Sequence, residues 1–228
     1  HHPLATDLTI WDELVASLKN DYRLVRFDAR GHGATEAPAG PYDLPGLARD
    51  VIALMDHLNI KTAGYIGVSM GGMIGQHLAV DHGDRFDAIM LVATSSRIPD
   101  EAKPLWRDRV VVAREQGMTS QVAPAMQRWV AKSTMEKNPA LVARLSRMIE
   151  ATALEGYAGW CAAIANLNIT SRLNSVTVPV AVVVGDEDVG TPPAAAKVIH
   201  DNIPGSSLHI MQGVAHQGHV EDAATFNG

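Results

Sequence analysis

Apolar positions along the chain follow two rhythms: short unbroken runs of strand length, and stripes that recur every three or four residues as on one face of a helix. Thr62 to Val68 (Thr-Ala-Gly-Tyr-Ile-Gly-Val), Phe86 to Ala93, Pro179 to Val184 and Ser207 to Met211 are runs of the first kind. Pro179-Val180-Ala181-Val182-Val183-Val184 is apolar and rich in β-branched valine, the signature of a strand buried on both faces. Tyr22 to Asp28 reads as a further strand, ending in the sharp turn Asp28-Ala29-Arg30-Gly31-His32-Gly33. Helical stripes run over Ile10 to Leu18 (Trp11, Leu14, Val15, Leu18), over Leu47, Val51, Leu54, Met55 and Leu58, and over Met70, Met73, Ile74, His77, Leu78 and Asp81. Strands alternating with helices predict an α/β fold with a mostly parallel sheet covered by helices on both faces.

From Arg97 to about Asn168 the strand signals stop. Helical stretches around Asp100–Gly117, Ser120–Lys132, Pro139–Thr152 and Leu154–Asn168 take over, and strand signals resume at Val178. Long insertions in compact domains usually carry function. The expected organisation is therefore a core made of residues 1–96 and 170–228, with residues 97–169 as a helical cap or lid.

Composition narrows the picture. The chain has 228 residues, 46% of them hydrophobic, enough for one globular unit plus an insertion. A formal net charge of −6 argues against a nucleic-acid or anionic-membrane partner, and no apolar run is long enough to span a bilayer. Cys161 is the only cysteine, which excludes an intrachain disulfide, suits a reducing cytoplasm and reads as a small core residue in a helical stretch. The expected partner is a small molecule, and a homodimer is the assembly considered.

Chemistry concentrates at three places. Gly67-Val68-Ser69-Met70-Gly71-Gly72 lies between a strand run and a helical stripe. A serine at such a turn is held in a strained conformation with its hydroxyl exposed, and flanking glycines are needed where a side chain would collide with the neighbouring elements. The N–H of the next residue, Met70, then points where a carbonyl oxygen would become anionic. This is the nucleophile elbow of an α/β-hydrolase, which also requires an acid and then a histidine, each past a later strand. After Val184 comes Gly185-Asp186-Glu187-Asp188-Val189-Gly190-Thr191-Pro192-Pro193, with three acids; after Met211 comes Gln212-Gly213-Val214-Ala215-His216-Gln217-Gly218-His219-Val220-Glu221, with two histidines. His216, His219 and Glu221 could also be read as a metal cluster, but no second ligand group with zinc-like spacing accompanies them. No metal and no cofactor are expected.

Resemblance to the α/β-hydrolase superfamily selects among these residues. Its Gly-x-x-Asp…Pro pattern matches Asp188, leaving Asp186 as the weaker choice and Glu187 as a solvated residue. Its small-residue turn before histidine matches His216, with His219 the nearest rival. The implied triad is Ser69, Asp188 and His216. The superfamily's His-Gly-x-Gly-type loop, by register, falls on His2-Pro3-Leu4-Ala5, so the resemblance implies Leu4 as the second oxyanion donor beside Met70, with Pro3 and Ala5 in place of glycines. It also implies that strands preceding His1 and a helix following Gly228 are missing from the sequence, with His1 and His2 native or tag-derived.

More specific segments resemble 3-oxoadipate enol-lactonases. These are Phe27 to Gly33, Ser69-Met70-Gly71-Gly72-Met73-Ile74-Gly75-Gln76, Gly185-Asp186-Glu187-Asp188, Gln127-Arg128-Trp129, Asn138-Pro139-Ala140-Leu141-Val142, and Glu155-Gly156-Tyr157-Ala158…Cys161-Ala162-Ala163. His2-Pro3-Leu4-Ala5 departs from the polar Asn-Ser-Leu-Gly loop often found in that family. The resemblance implies a cytoplasmic serine hydrolase that opens a small carboxylate-bearing enol-lactone in aromatic-compound catabolism. Arg128 is then the candidate for the substrate carboxylate, with Trp129, Tyr157 and Trp160 around the pocket. The same triad would serve a broad carboxylesterase, a cofactor-free perhydrolase or a carbon–carbon bond hydrolase, and a non-catalytic receptor of the same fold is the alternative outside the enzymes.

Overall fold

The computed structural model describes residues 1–228. Four strands, β1 (Ala63–Val68), β2 (Phe86–Val92), β3 (Val180–Gly185) and β4 (Ser207–Met211), form one sheet in the order β1-β2-β3-β4. All three pairings are parallel. The strand expected at Pro179 to Val184 is β3, and only Ala181 in it escapes full burial. Exposed positions gather on β4, with two more near the start of β2 (Asp87, Ala88) and one in β1 (Gly64).

Helices surround these strands. α1 (Asp12–Leu18) continues a 3-10 turn at Leu8–Trp11, and α2 (Leu44–His57) starts where Asp43 accepts from the Gly46 N–H. α2 packs on α3 (Met70–Asp81), which lies against β1 and β2. Ten of the twelve residues of α3 are buried, so this helix is enclosed nearly all round. Between β2 and β3 the chain runs through α4 (Lys103–Gln116), α5 (Val122–Trp129), α6 (Lys132–Lys137), α7 (Pro139–Ala151) and α8 (Leu154–Ala165). α9 (Pro193–Asn202) packs on β3 and β4, and the chain ends in two short helices, α10 (Gly218–Glu221) and α11 (Ala223–Asn227).

The helical stretch is pinched at its base. An isolated antiparallel bridge joins Arg97 to Asn168, flanked by Ile98 N–H to Leu167 O and Ile169 N–H to Ser96 O, both 2.9 Å. Ser96 Oγ and Thr170 Oγ1 meet at 2.7 Å across the same neck.

Two expectations need correction. Tyr22 to Asp28 is not a strand: it is irregular, and Tyr22, Leu24 and Val25 are exposed. Its β-forming residues have no neighbouring strand to pair with, and a ladder, not propensity, makes a strand. The stretch expected as one helix over Ser120–Lys132 is a 3-10 turn, α5 and the start of α6, broken where Val130 and Ala131 leave the helical conformation. His1 and His2 pack against the core. His2 is fully buried, its Nε2 accepts from the Ala29 N–H at 2.9 Å, and the His1 carbonyl accepts from the Val68 N–H at 3.1 Å.

Candidate active site

Because the strands are parallel, every residue just past a strand's C-terminal end falls on one edge of the sheet. Ser69 follows β1 directly, Asp188 follows β3 and His216 follows β4. Ser69 has φ 55° and ψ −111°, a strained backbone for a non-glycine residue. The turn holds because its neighbours are small: a Cβ on Gly67 would overlap the Gly71 carbonyl oxygen, and one on Gly71 would overlap the backbone of His1. The Ser69 N–H donates to Val92 O at 2.8 Å, and its carbonyl accepts from Thr94 Oγ1 at 2.9 Å. Met70 is the first residue of α3, where backbone N–H groups have no partner inside the helix.

Asp188 and His216 are both buried and joined by a 2.8 Å contact between Oδ2 and Nδ1. The carboxylate also accepts from the N–H groups of Gly190 and Thr191 and from the Thr191 hydroxyl. Burial by itself would raise its pKa, but the His216 charge and these donors outweigh that and hold it below the usual carboxylate range. Asp186 has another role: its Oδ1 accepts from the Gly213 N–H at 2.7 Å, bracing the turn before His216. Glu187 is exposed.

Ser69 and His216 line one cavity of about 100 Å³. Leu4, Ala5, Ser95 and Thr191 complete its floor, and the helical stretch supplies the opposite wall through Trp106, Arg109, Gln121, Arg128, Trp129 and Tyr157. In this conformation no hydrogen bond joins Ser69 Oγ to His216 Nε2; in unliganded enzymes such contacts commonly tighten only around substrate. Leu4 sits on a loop fixed by the Ala5 N–H donating to His32 Nε2 at 2.9 Å and by Thr6 Oγ1 donating to Pro3 O at 2.8 Å. Ala5 adopts φ 56°, the left-handed conformation that a glycine would take more readily.

Of the four residues expected around the substrate, Arg128, Trp129 and Tyr157 line the cavity. Trp160 does not. It is fully buried, with Nε1–H donating to Arg30 O at 2.7 Å, so the indole is a packing residue that spans from α8 to the core turn. His219 is also turned away: it packs between Trp11 and Phe226, and neither ring nitrogen has a partner. Cys161 is buried and unpaired, and burial pushes its thiol up to about 12.

The sequence reading did not single out Arg109 and weighed Glu221 only as a metal ligand. Arg109 shares the cavity wall with Arg128 although nineteen positions separate them in the chain. Glu221 accepts from the Ala215 N–H at 2.9 Å and from the Ala131 N–H at 2.8 Å, tying the His216 loop to the helical stretch. The Gln217 N–H adds a bond to Trp129 O at 2.9 Å, and the Trp129 and His216 rings stack at 6.4 Å. Burial raises the Glu221 pKa, against the opposing pull of these N–H donors.

The chain belongs to the α/β-hydrolase fold family, whose model matches residues 1–223. Within it, the chain is 36% identical to 3-oxoadipate enol-lactonase 2 of Acinetobacter baylyi over 98% of its own length and 83% of that protein's. It is 28% identical to 3-oxoadipate enol-lactonase 1 of the same organism, over 98% and 82% of the two chains. The crystal structure of the enol-lactonase from Burkholderia xenovorans LB400 superposes with a TM-score of 0.94 at 35% identity, covering 99% of this chain and 86% of that one. The enol-lactonase resemblance read from the motifs is thus borne out.

Proposed function

We propose that this protein opens a small carboxylate-bearing enol-lactone, as in 3-oxoadipate enol-lactone hydrolysis, through an acyl-enzyme on Ser69. The coarser part, an α/β-hydrolase acting on ester or lactone bonds, follows from the family and its enol-lactonase relatives. The observation that carries the mechanism is the buried Asp188–His216 pair beside a cavity that Ser69 also lines. Its Nδ1 committed to Asp188, the imidazole has Nε2 available for the serine proton.

Ser69 Oγ attacks the lactone carbonyl carbon as His216 takes the hydroxyl proton. The N–H groups of Met70 and Leu4 hold the resulting oxyanion. Collapse breaks the ring C–O bond, and His216 returns the proton to the departing enol oxygen, which tautomerises to a ketone while tethered to the acyl chain. Water deprotonated by His216 then attacks the acyl carbon and releases Ser69 and an oxo acid with a new carboxylate. Residues 97–169 act as the lid over this chemistry. Arg128 receives the substrate carboxylate as a bidentate donor, with Trp129 and Tyr157 as walls. A reducing cytoplasm suits a chain with one cysteine.

A lactone's leaving group stays attached, so the acyl-enzyme should weigh as much as enzyme plus whole substrate. Rapid-quench mass spectrometry with 3-oxoadipate enol-lactone should find that adduct on the peptide containing Ser69. Turnover with no adduct on that peptide at any quench time, and no burst with 4-nitrophenyl acetate, would contradict the covalent route.

A further inference from the structure

The arginines of this chain divide by how their charge is accommodated. Arg26, Arg30, Arg85, Arg114, Arg144 and Arg172 are paired with carboxylates. Arg23, Arg49, Arg97, Arg107 and Arg147 are exposed to water. Arg109 and Arg128 are neither. Both are half-buried, neither forms an ion pair, and both line the cavity that holds Ser69 and His216. They arrive from different helices, α4 and α5, and no acidic side chain lines the cavity with them.

Withdrawing a guanidinium from water without a counter-charge is costly, and a second one nearby adds repulsion. The charge on Arg128 is disfavoured first by its burial and then by Arg109. Arg109 is held in place by Trp106 one turn earlier on α4, with Cζ 4.4 Å from the ring centroid. That stacking offsets part of the desolvation and fixes the direction of the planar donor fork. An anion entering the cavity would relieve both charges at once.

We propose that Arg109 is a second carboxylate-binding residue, and that the cavity selects acyl chains whose far end carries a carboxylate held jointly by Arg109 and Arg128 while the reacting carbonyl sits at Ser69. The proposal rests on the hydrolase reading of Ser69 and adds the recognition rule. Its corollary is that the product, with carboxylates at both ends, belongs to the linear dicarboxylates, and that this class inhibits.

Two substrates of equal chain length separate recognition from chemistry: mono-4-nitrophenyl adipate, with a terminal carboxylate, and 4-nitrophenyl hexanoate, without one. The KM ratio of the neutral to the charged ester should fall about ten-fold or more in Arg109→Met, as for a lost hydrogen bond to a charged group. Arg109→Lys should retain an intermediate ratio. The double variant with Arg128→Met should lose less than the product of the two single effects, because both guanidiniums serve one carboxylate. Inhibition by adipate should weaken in parallel. A ratio unchanged in Arg109→Met, or equal losses on both esters in Arg109→Met and Arg109→Lys alike, would overturn the proposal and leave Arg109 as a partner of Trp106 only. Wild-type selectivity for the charged ester, lost in Arg109→Met, together with no turnover of the enol-lactone would sustain the arginine pair and reject the lactone assignment.

Discussion

Buried imidazoles define the chemistry of this molecule residue by residue, and they have unlike surroundings. His216 has a carboxylate on Nδ1 and a cavity beside it, whereas His219, three positions on, lies among aromatic rings with both nitrogens unpartnered. Burial, then the nearby His216 charge, depresses the pKa of His219 to about 3; burial depresses that of His32 to about 4. Each titrates near 6.5 once unfolded, so between these values the unfolded chain binds protons the native state refuses. The stability these two histidines carry is therefore fully present above pH 6.5 and is lost progressively as the pH falls toward the folded values. Urea unfolding at pH 7 and pH 5 should show that decline, and His219→Leu should make it shallower while preserving ester hydrolysis. A pH profile unaltered by His219→Leu would contradict the assignment of a neutral, packed imidazole.

At the scale of elements, the junction between the helical stretch and the His216 loop matters more than either alone. Glu221 accepts from Ala215 and Ala131, the Gln217 N–H reaches Trp129 O, and Trp129 stacks on His216. Two hydrogen bonds and a ring contact thus link residues 129–131 to 215–221, and a Trp129 that walls the cavity is held in register with His216. Glu221→Gln keeps one acceptor and turns the other into a donor facing a backbone N–H. Stability should fall by about 1–3 kcal/mol, as when a buried charged acceptor is lost, with a fall in kcat larger than any change in KM. Equal kcat in the variant and wild type would show that this carboxylate only staples the fold. Here the sequence was legible where the signal was local. The elbow at Ser69 and the β-branched run of β3 are short-range patterns, and both formed as read. Tyr22 to Asp28 misled because strand propensity says nothing of an absent pairing partner. The bracing role of Glu221 and the place of Arg109 were not legible for a related reason: they exist only through residues far along the chain, Ala131 and Arg128, brought near by the packing of helices.

For the whole molecule, the division of labour runs along the neck at Arg97 and Asn168. The parallel sheet brings Ser69, Asp188 and His216 to one edge, and the helices between β2 and β3 supply the cations and aromatic walls facing them. Under the proposed function, reaction type and substrate choice are written in different parts of the chain. That is why the triad motifs read as superfamily chemistry, while the enol-lactone resemblance leans on segments of the helical stretch and the carboxylate partners are argued from the cavity. The most direct test of the account compares the hydrolysis of 3-oxoadipate enol-lactone with that of 4-nitrophenyl acetate, by wild type and Ser69→Ala. The account predicts a kcat/KM strongly favouring the lactone and a loss of about 10⁴-fold or more on both substrates in the variant. A folded wild-type protein that leaves the lactone untouched, or a Ser69→Ala variant that still opens it, would contradict the central claim.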